Sequence, residues 1–410
     1  MPDKATRLTQ RDIARLANVS QTTVSLVLNN RSDATARIPA ETRDRVLKVI
    51  RDTGYQADPL ARRMLKQRNQ ILGVFTYESV FPSASGDFYH PFLAGIEDCA
   101  ERLGLDLLLF TSAPVSDGHR RIFHENNRLR IADGCLLLGR DVPRDELARL
   151  IAEDYPFVSV GRRDDAGGPV PYVGADYTTA TATVVQQALS QGHHHLAYAG
   201  PSTLAATSGG ASGDASDRTS GGALGGASGG ALGGALGGAL GGAAGRLAES
   251  SADRLRGYYQ AAGPRALTLT TGPRPSPSSL PSDPISPGST AADSTPPDTW
   301  AGQLLDTLLD RHITAVFVEE RADAIALLAA ASARGIDVPT ELSVVALGDS
   351  TRPVASDVDF SGFHVPRRAM GLRAVELLEA ILSGTAGSYQ VLLPCELTTG
   401  TTLTPPSKGR

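Results

Sequence analysis

Cysteine is scarce: three residues in 410, Cys99, Cys135 and Cys395, far apart and never in CxxC spacing. That excludes a disulfide framework and a zinc site built on cysteine, which need closer or more numerous ligands, and leaves buried free thiols. Aromatic residues are few, at 5 % with one tryptophan, so aliphatic side chains must build the core. No apolar run reaches the roughly 18 residues that span a bilayer. The polar start, Met1 to Gln10, lacks the apolar segment of a secretion signal. A cytoplasmic protein without membrane contact is expected. Also missing are HExxH, a Walker motif, a nucleophile elbow and a Ser-His-Asp signature in a fitting context, so no catalytic group, cofactor or metal is expected. The run His193-His194-His195 reads as a solvated turn, because adjacent histidines diverge on helix or strand.

What is present is length and an uneven charge. A chain of 410 residues exceeds one ordinary core and implies two or three folding units. Residues 1–68 hold 14 Lys/Arg against 7 Asp/Glu, a net of +7, while the remainder holds 25 against 37, a net of −12. A basic head on an acidic body is the electrostatic footprint of a nucleic-acid-binding module joined to something else.

Residues 1–56 read as three short helices. Thr9 can cap the first, with Ile13 and Leu16 inward, and Ala17-Asn18-Val19 forms a tight turn. Ser20 can cap the second, Gln21–Leu28, whose Val24, Val27 and Leu28 share an inner face. The third starts near Pro39, carries Val46, Val49 and Ile50, and ends at Gly54. This pattern describes an all-α helix-turn-helix head. Residues 57–68 form a brief basic segment. Over 69–410 apolar runs alternate with amphipathic helical patterns, which implies βαβ units and mostly parallel sheets. Two stretches break the rhythm: six consecutive Gly-Gly-Ala-X units at 221–244, and eight prolines among serines and threonines at 271–299. Insertions over about 205–247 and 271–299 are expected to be disordered.

The stretches Asp12–Ser20, Thr23-Val24-Ser25, Val27-Leu28-Asn29, Glu41–Val46 and Gly54-Tyr55 resemble the signature of the LacI/GalR family of transcriptional regulators. The resemblance implies that Gln21 and Thr22, first on the recognition helix, reach base edges in the major groove. Gln can make a bidentate contact to adenine and Thr can touch a thymine methyl. Leu26 stands where the family often has Arg or His, and an apolar side chain cannot make the bidentate guanine contact. Ser20, Thr23, Ser25 and Asn29 are implied phosphate or sugar contacts, with a plain helix cap the alternative for Ser20. Residues 57–68 match a hinge helix carrying Arg62, with Met64 and Leu65 as the wedge into the minor groove; an ordinary charged linker is the competing reading.

For residues 69–410 the resemblance implies an α/β, two-lobed periplasmic-binding-protein-like domain with parallel sheets. Phe92–Glu97, Ala132–Gly134, Gly192-His193 and Leu342–Val345 match it. Ligands of such folds lie at the carboxyl ends of strands. Arg254 matches an effector-binding arginine, with a surface salt bridge as its alternative, and the glycine tract before it suggests a loop position. Asp176 falls near the cleft and Asp349 in a strand-end turn. Phe88 and His90 fall in the first strand-to-helix loop, where they can stack on a sugar. Glu320-Arg321 replaces the family's usual Asn-Asp, which points to a remodelled site or a different effector. The expectation is a homodimeric repressor on a near-palindromic double-stranded operator, controlled by a small-molecule effector such as a sugar or related metabolite. Two readings compete: a sugar-binding protein without operator recognition, and an enzyme on the same framework.

Overall fold

A computed structural model describes residues 9–28, 38–53, 68–78, 86–116, 119–125, 127–201, 248–271, 300–351 and 356–407. The chain divides into two compact units, Met1–Ile71 and Leu72–Arg410.

The first unit contains α1 (Gln10–Leu16), α2 (Gln21–Leu28) and α3 (Ala40–Thr53). A capping box opens α1: the Thr9 hydroxyl accepts from the Asp12 N–H, and the Asp12 carboxylate accepts from the Thr9 N–H at 3.0 Å. Asn18, at φ 52°, makes the left-handed turn that ends α1. The Ser20 hydroxyl accepts from the Thr23 N–H at 3.0 Å and starts α2. The core is Ile13, Ala14, Ala17, Val24, Val27 and Val46. Leu16, expected inward, is 54 % exposed. At 100° per residue, Ile13, Ala14 and Ala17 share one face of α1, and Leu16 lies off its edge. The Arg45 Nε donates to Ala17 O at 3.0 Å and ties α3 to the turn.

The second unit begins with β1 (Ile71–Thr76), α4 (Gly86–Leu103), β2 (Asp106–Phe110) and a small antiparallel ribbon of β3 (Val115–Ser116) and β4 (His119–Arg120). Next come β5 (Gly134–Leu138), α5 (Arg144–Ala152), β6 (Phe157–Val160) and β7 (Tyr172–Ala175). The chain then enters a second lobe: α6 (Tyr177–Ser190), β8 (Leu196–Pro201), α7 (Glu249–Ala262), β9 (Ala266–Thr271) and α8 (Trp300–Asp310). There follow β10 (Ala315–Val318), α9 (Arg321–Ala333), β11 (Ser343–Ala346) and β12 (Ser361–His364). It returns through α10 (Arg367–Leu382) and β13 (Gln390–Leu393), then ends with β14 (Glu396–Thr398).

Two six-stranded sheets result, in the orders β2-β1-β5-β6-β7-β13 and β9-β8-β10-β11-β12-β14. Apart from antiparallel β12–β14, the described pairings within them are parallel. Every residue of β5, β6, β10 and β11 is buried, as strands covered on both faces must be. Thus the chain passes between lobes three times: at Asp176, at Val365-Pro366 and at Pro394-Cys395. The first and third passages touch, since Asp176 N–H donates to Leu393 O at 2.8 Å.

Glycine sets the closest helix contact. A Cβ on Gly95 would lie 2.0 Å from Arg368 O, and one on Gly371 would lie 2.1 Å from Phe92 O. So α4 and α10 meet backbone to backbone, which brings the start of α10 to the first lobe.

Several expectations shift. Arg254 sits inside α7, not on a loop, and Phe88 and His90 sit in the first turns of α4. Thr271 ends β9. His193 is buried rather than solvated: its Nε2 donates to Thr404 O at 2.8 Å, and its Nδ1 pairs with the Thr314 hydroxyl at 2.9 Å. Burial lowers its pKa. Cys99 and Cys135 are buried free thiols, and Cys395 is partly buried. Asn29, Arg62, Met64, Leu65, the bulk of the hinge segment and both insertions, apart from Thr271, lie outside the described residues. Among the described residues no helix is long and apolar enough to cross a membrane.

Candidate functional site

Two surfaces are candidates, one in each unit. In the first, Val24 and Val27 anchor α2 to the core, so its opening residues Gln21 and Thr22 face outward and are exposed. The Gln21 Nε2 donates to Gln10 Oε1 at 3.5 Å, a marginal bond that a stronger partner replaces at little cost. Ser20 is also exposed, and its hydroxyl lies 2.8 Å from that of Thr23. Thr23, Ser25 and Leu26 are half-buried. The arrangement gives an outward row of hydrogen-bonding groups on a capped, rigid helix.

The second surface is a cavity of about 320 Å³ between the two lobes. Its polar wall comes from the carboxyl ends of parallel strands. Arg140 follows β5, Arg162 and Arg163 follow β6, Glu319 and Glu320 follow β10, and Asp349 follows β11. Helices add the rest: Phe88 and Phe92 from α4, Tyr177 opening α6, Arg254 from α7 and Arg367 opening α10. Strand ends converge here because side chains and free backbone groups at the carboxyl edge of a parallel sheet have no covering helix.

Arg254 is 7 % exposed. Its Nε donates to Leu347 O at 2.7 Å and its Nη1 to Ser250 O at 3.1 Å, while the guanidinium carbon lies 3.8 Å from the Tyr177 ring centre. The surface salt-bridge reading of Arg254 therefore fails on burial. Gly348, at φ +127°, makes room for it: a Cβ there would lie 3.1 Å from Arg254 Nη2. Arg367 repeats the motif. It is 8 % exposed, its Nη2 donates to Ser350 O at 3.2 Å, and it lies over the Phe88 ring at 4.7 Å. Burial lowers the pKa of Arg367, against the pull of Asp349.

The carboxylates are held internally. Glu319 accepts from the Tyr198 hydroxyl at 2.7 Å and from the Ser251 hydroxyl. Glu320, 5 % exposed, accepts from Ser350 Oγ at 3.0 Å, Thr351 N–H at 2.7 Å and Thr351 Oγ1 at 2.7 Å. Asp349 accepts from His364 and from the Val365 N–H at 2.9 Å. Burial alone would raise the Asp349 pKa, but the His364 and Val365 bonds and the Arg367 charge together lower it. The Asp349 bond raises the pKa of His364 against its own burial.

Of the six cleft residues expected from sequence, Phe88, Arg254, Glu320 and Asp349 line the cavity. His90 is exposed on α4 and outside the lining. Asp176 is outside it too. It caps α6, its Oδ1 accepting from the Thr179 N–H at 3.0 Å. Arg140, Arg162, Arg163, Glu319, Tyr177 and Arg367 were not anticipated. The strand-end rule, applied to every strand, would have found the first four. Among the described residues no group of His, Cys, Asp and Glu could hold a metal ion.

Residues 9–58 match the bacterial regulatory proteins of the lacI family, and residues 241–403 match a periplasmic binding protein-like domain. The chain is 28 % identical over 188 residues to catabolite control protein A of Priestia megaterium, covering 46 % of this chain and 53 % of that one. It is 30 % identical over 188 residues to the sucrose operon repressor of Klebsiella pneumoniae, covering 46 % and 54 %. The matched stretch thus spans about half the length of these curated relatives. The fold is similar to that of the lac repressor dimer bound to operator and the anti-inducer ONPF, at 18 % identity and a TM-score of 0.61. That likeness covers 97 % of this chain and 100 % of the other.

Proposed function

We propose that this chain, in which a LacI-family helix-turn-helix domain is joined to a periplasmic-binding-protein-like domain, is a sequence-specific DNA-binding transcriptional repressor governed by a small-molecule effector. The observation that carries the reading is the outward presentation of Gln21 and Thr22 at the start of α2, in a chain that also holds a cleft between two lobes. Gln21 reads adenine through its amide and Thr22 meets a thymine methyl. Ser20, Thr23 and Ser25 hold phosphates and set register. Two copies pair, so the operator is near-palindromic. The protein is not an enzyme, and it works in the cytoplasm.

The effector, a sugar or related metabolite, binds between the lobes with Arg254, Phe88, Glu320 and Asp349 as contacts. A ligand touching both lobes favours the closed arrangement by its differential affinity for it. The three passages between lobes supply the hinge, where Asp176 acts as a helix cap. The sucrose operon repressor and the operator-bound lac repressor support this reading by their likeness.

The test is selection of random duplexes by the purified protein, repeated with Gln21→Ala. Enrichment of a near-palindrome, altered at one symmetric position in the variant, is the expected result. Binding that is only salt-sensitive and sequence-independent, with or without a panel of sugars, refutes the repressor reading and leaves a ligand-binding protein.

A further inference from the structure

The cavity between the lobes is rich in donors, and its carboxylates are already engaged by the protein. Each carboxylate oxygen of Glu319, Glu320 and Asp349 accepts a hydrogen bond from the protein itself. The arginines differ. Arg162 is paired with Asp253 at 2.6 Å and Arg163 with Glu249 at 3.5 Å. Arg254 is buried, donates to Leu347 O and Ser250 O, and forms no ion pair among the described residues. Arg367 pairs with Asp349 at the long distance of 3.9 Å, and among the described residues its buried Nε has no hydrogen-bond partner. The Arg140 side chain makes no hydrogen bond among the described residues.

A buried guanidinium without a close counter-charge costs free energy unless something anionic arrives. Stacking on Tyr177 and Phe88 supplies part of the compensation, because the ring face is electron-rich. The remainder calls for oxygen acceptors of negative charge, which the planar guanidinium fork grips in pairs. A neutral hydroxyl must donate as well as accept, and here every carboxylate oxygen already accepts at least one bond from the protein, so the open groups are mainly donors. Phe92, Leu138, Val160 and Met370 provide an apolar wall beside the donors. We propose that the cleft takes a small metabolite bearing an anionic oxygen group, a carboxylate or a phosphate ester, on a body with one apolar face. This rests on the reading of the cleft as the effector site and specifies its ligand.

The test is calorimetry on the full chain with matched sets: glucose against glucuronate and glucose 6-phosphate, and benzyl alcohol against benzoate. In at least one set the anion binds about tenfold or more tightly than its neutral counterpart, the gain expected of a charge-assisted bond. Arg140→Gln, at an exposed position that leaves folding intact, narrows that preference severalfold. The carboxylate and phosphate arms show which group is preferred. Neutral members binding as tightly as the anions, no anion binding at all, or a preference undiminished in both Arg140→Gln and Arg367→Gln each overturns the proposal. Anion binding that leaves operator affinity unchanged would instead sink the regulatory reading and keep this one. Neutral binding that alters operator affinity would do the reverse.

Discussion

The helix-turn-helix head and the cleft between the two lobes are built on opposite principles. The head's candidate contacts from Ser20 to Leu26 lie within seven consecutive residues of one capped helix, and its described core has six buried members. The cleft draws Phe88, Arg140, Arg163, Arg254, Glu320 and Arg367 from six separate elements spread over 280 positions of chain. A site on one helix is fixed once that helix is anchored, so its weakness is the anchor. A site gathered from strand ends is held by two large sheets, so its weakness is the side chain that joins them.

The largest effect expected from that contrast is on the anchor. Ile13→Ala empties the middle of the head's small core and costs about 2–5 kcal/mol. The head unfolds, all sequence-selective DNA binding disappears in a mobility-shift assay, and calorimetric ligand binding is unchanged. Loss of both activities would show that the two units are not independent. Next in size is Gly371→Ala, which forces α10 away from Phe92 O and costs about 1–3 kcal/mol of body stability. A lower urea midpoint with an unaltered selected DNA sequence is the expected readout.

Arg254→Met should be milder in stability and sharper in function. It removes the donor to Leu347 O, worth about 1 kcal/mol. Effector affinity falls about tenfold or more, while base preference at the operator stays the same. An unaffected ligand titration would remove Arg254 from the site. Smallest is a pH effect at Asp349 and His364. The folded pKa of His364 is raised, so the stability it contributes is present below its ordinary value and lost as pH rises through the raised one. Asp349 has the opposite sense: its lowered pKa makes its contribution present above the ordinary carboxylate value and lost only in stronger acid. Body melting temperature should therefore drift down as pH climbs from slightly acid to alkaline, and His364→Gln should flatten that drift.

The head was largely legible because its determinants are local. The Thr9 capping box, the Ser20 cap and the 100° spacing of Val24 and Val27 act within one or two turns. Leu16 was misjudged because a three-residue spacing from Ile13 was taken as the inner face, whereas Ala14 and Ala17 define it. In the body, the alternation of apolar runs with amphipathic helical patterns was readable from periodicity, and it matches the alternating strands and helices of the two sheets. Strands β7, β12, β13 and β14 were not readable. Gln390–Leu393 alternates exposed and half-buried positions, and its partner Tyr172–Ala175 lies more than two hundred residues earlier. No local signal marks such a pairing.

Phe88 and His90 show the same limit at one residue's resolution. Placed on a loop, either could reach the ligand. On a helix, residues two apart point about 200° from each other, so Phe88 meets Arg367 and His90 meets solvent. By itself, then, the sequence determined the caps, the helix faces, the basic head and the kind of fold, since each depends on neighbours in the chain. Only the tertiary structure decided which strand ends meet, which arginines are buried without a close carboxylate and which carboxylates are already in use. Burial and pairing are properties of residues brought together across the whole chain, and no window of sequence contains both partners.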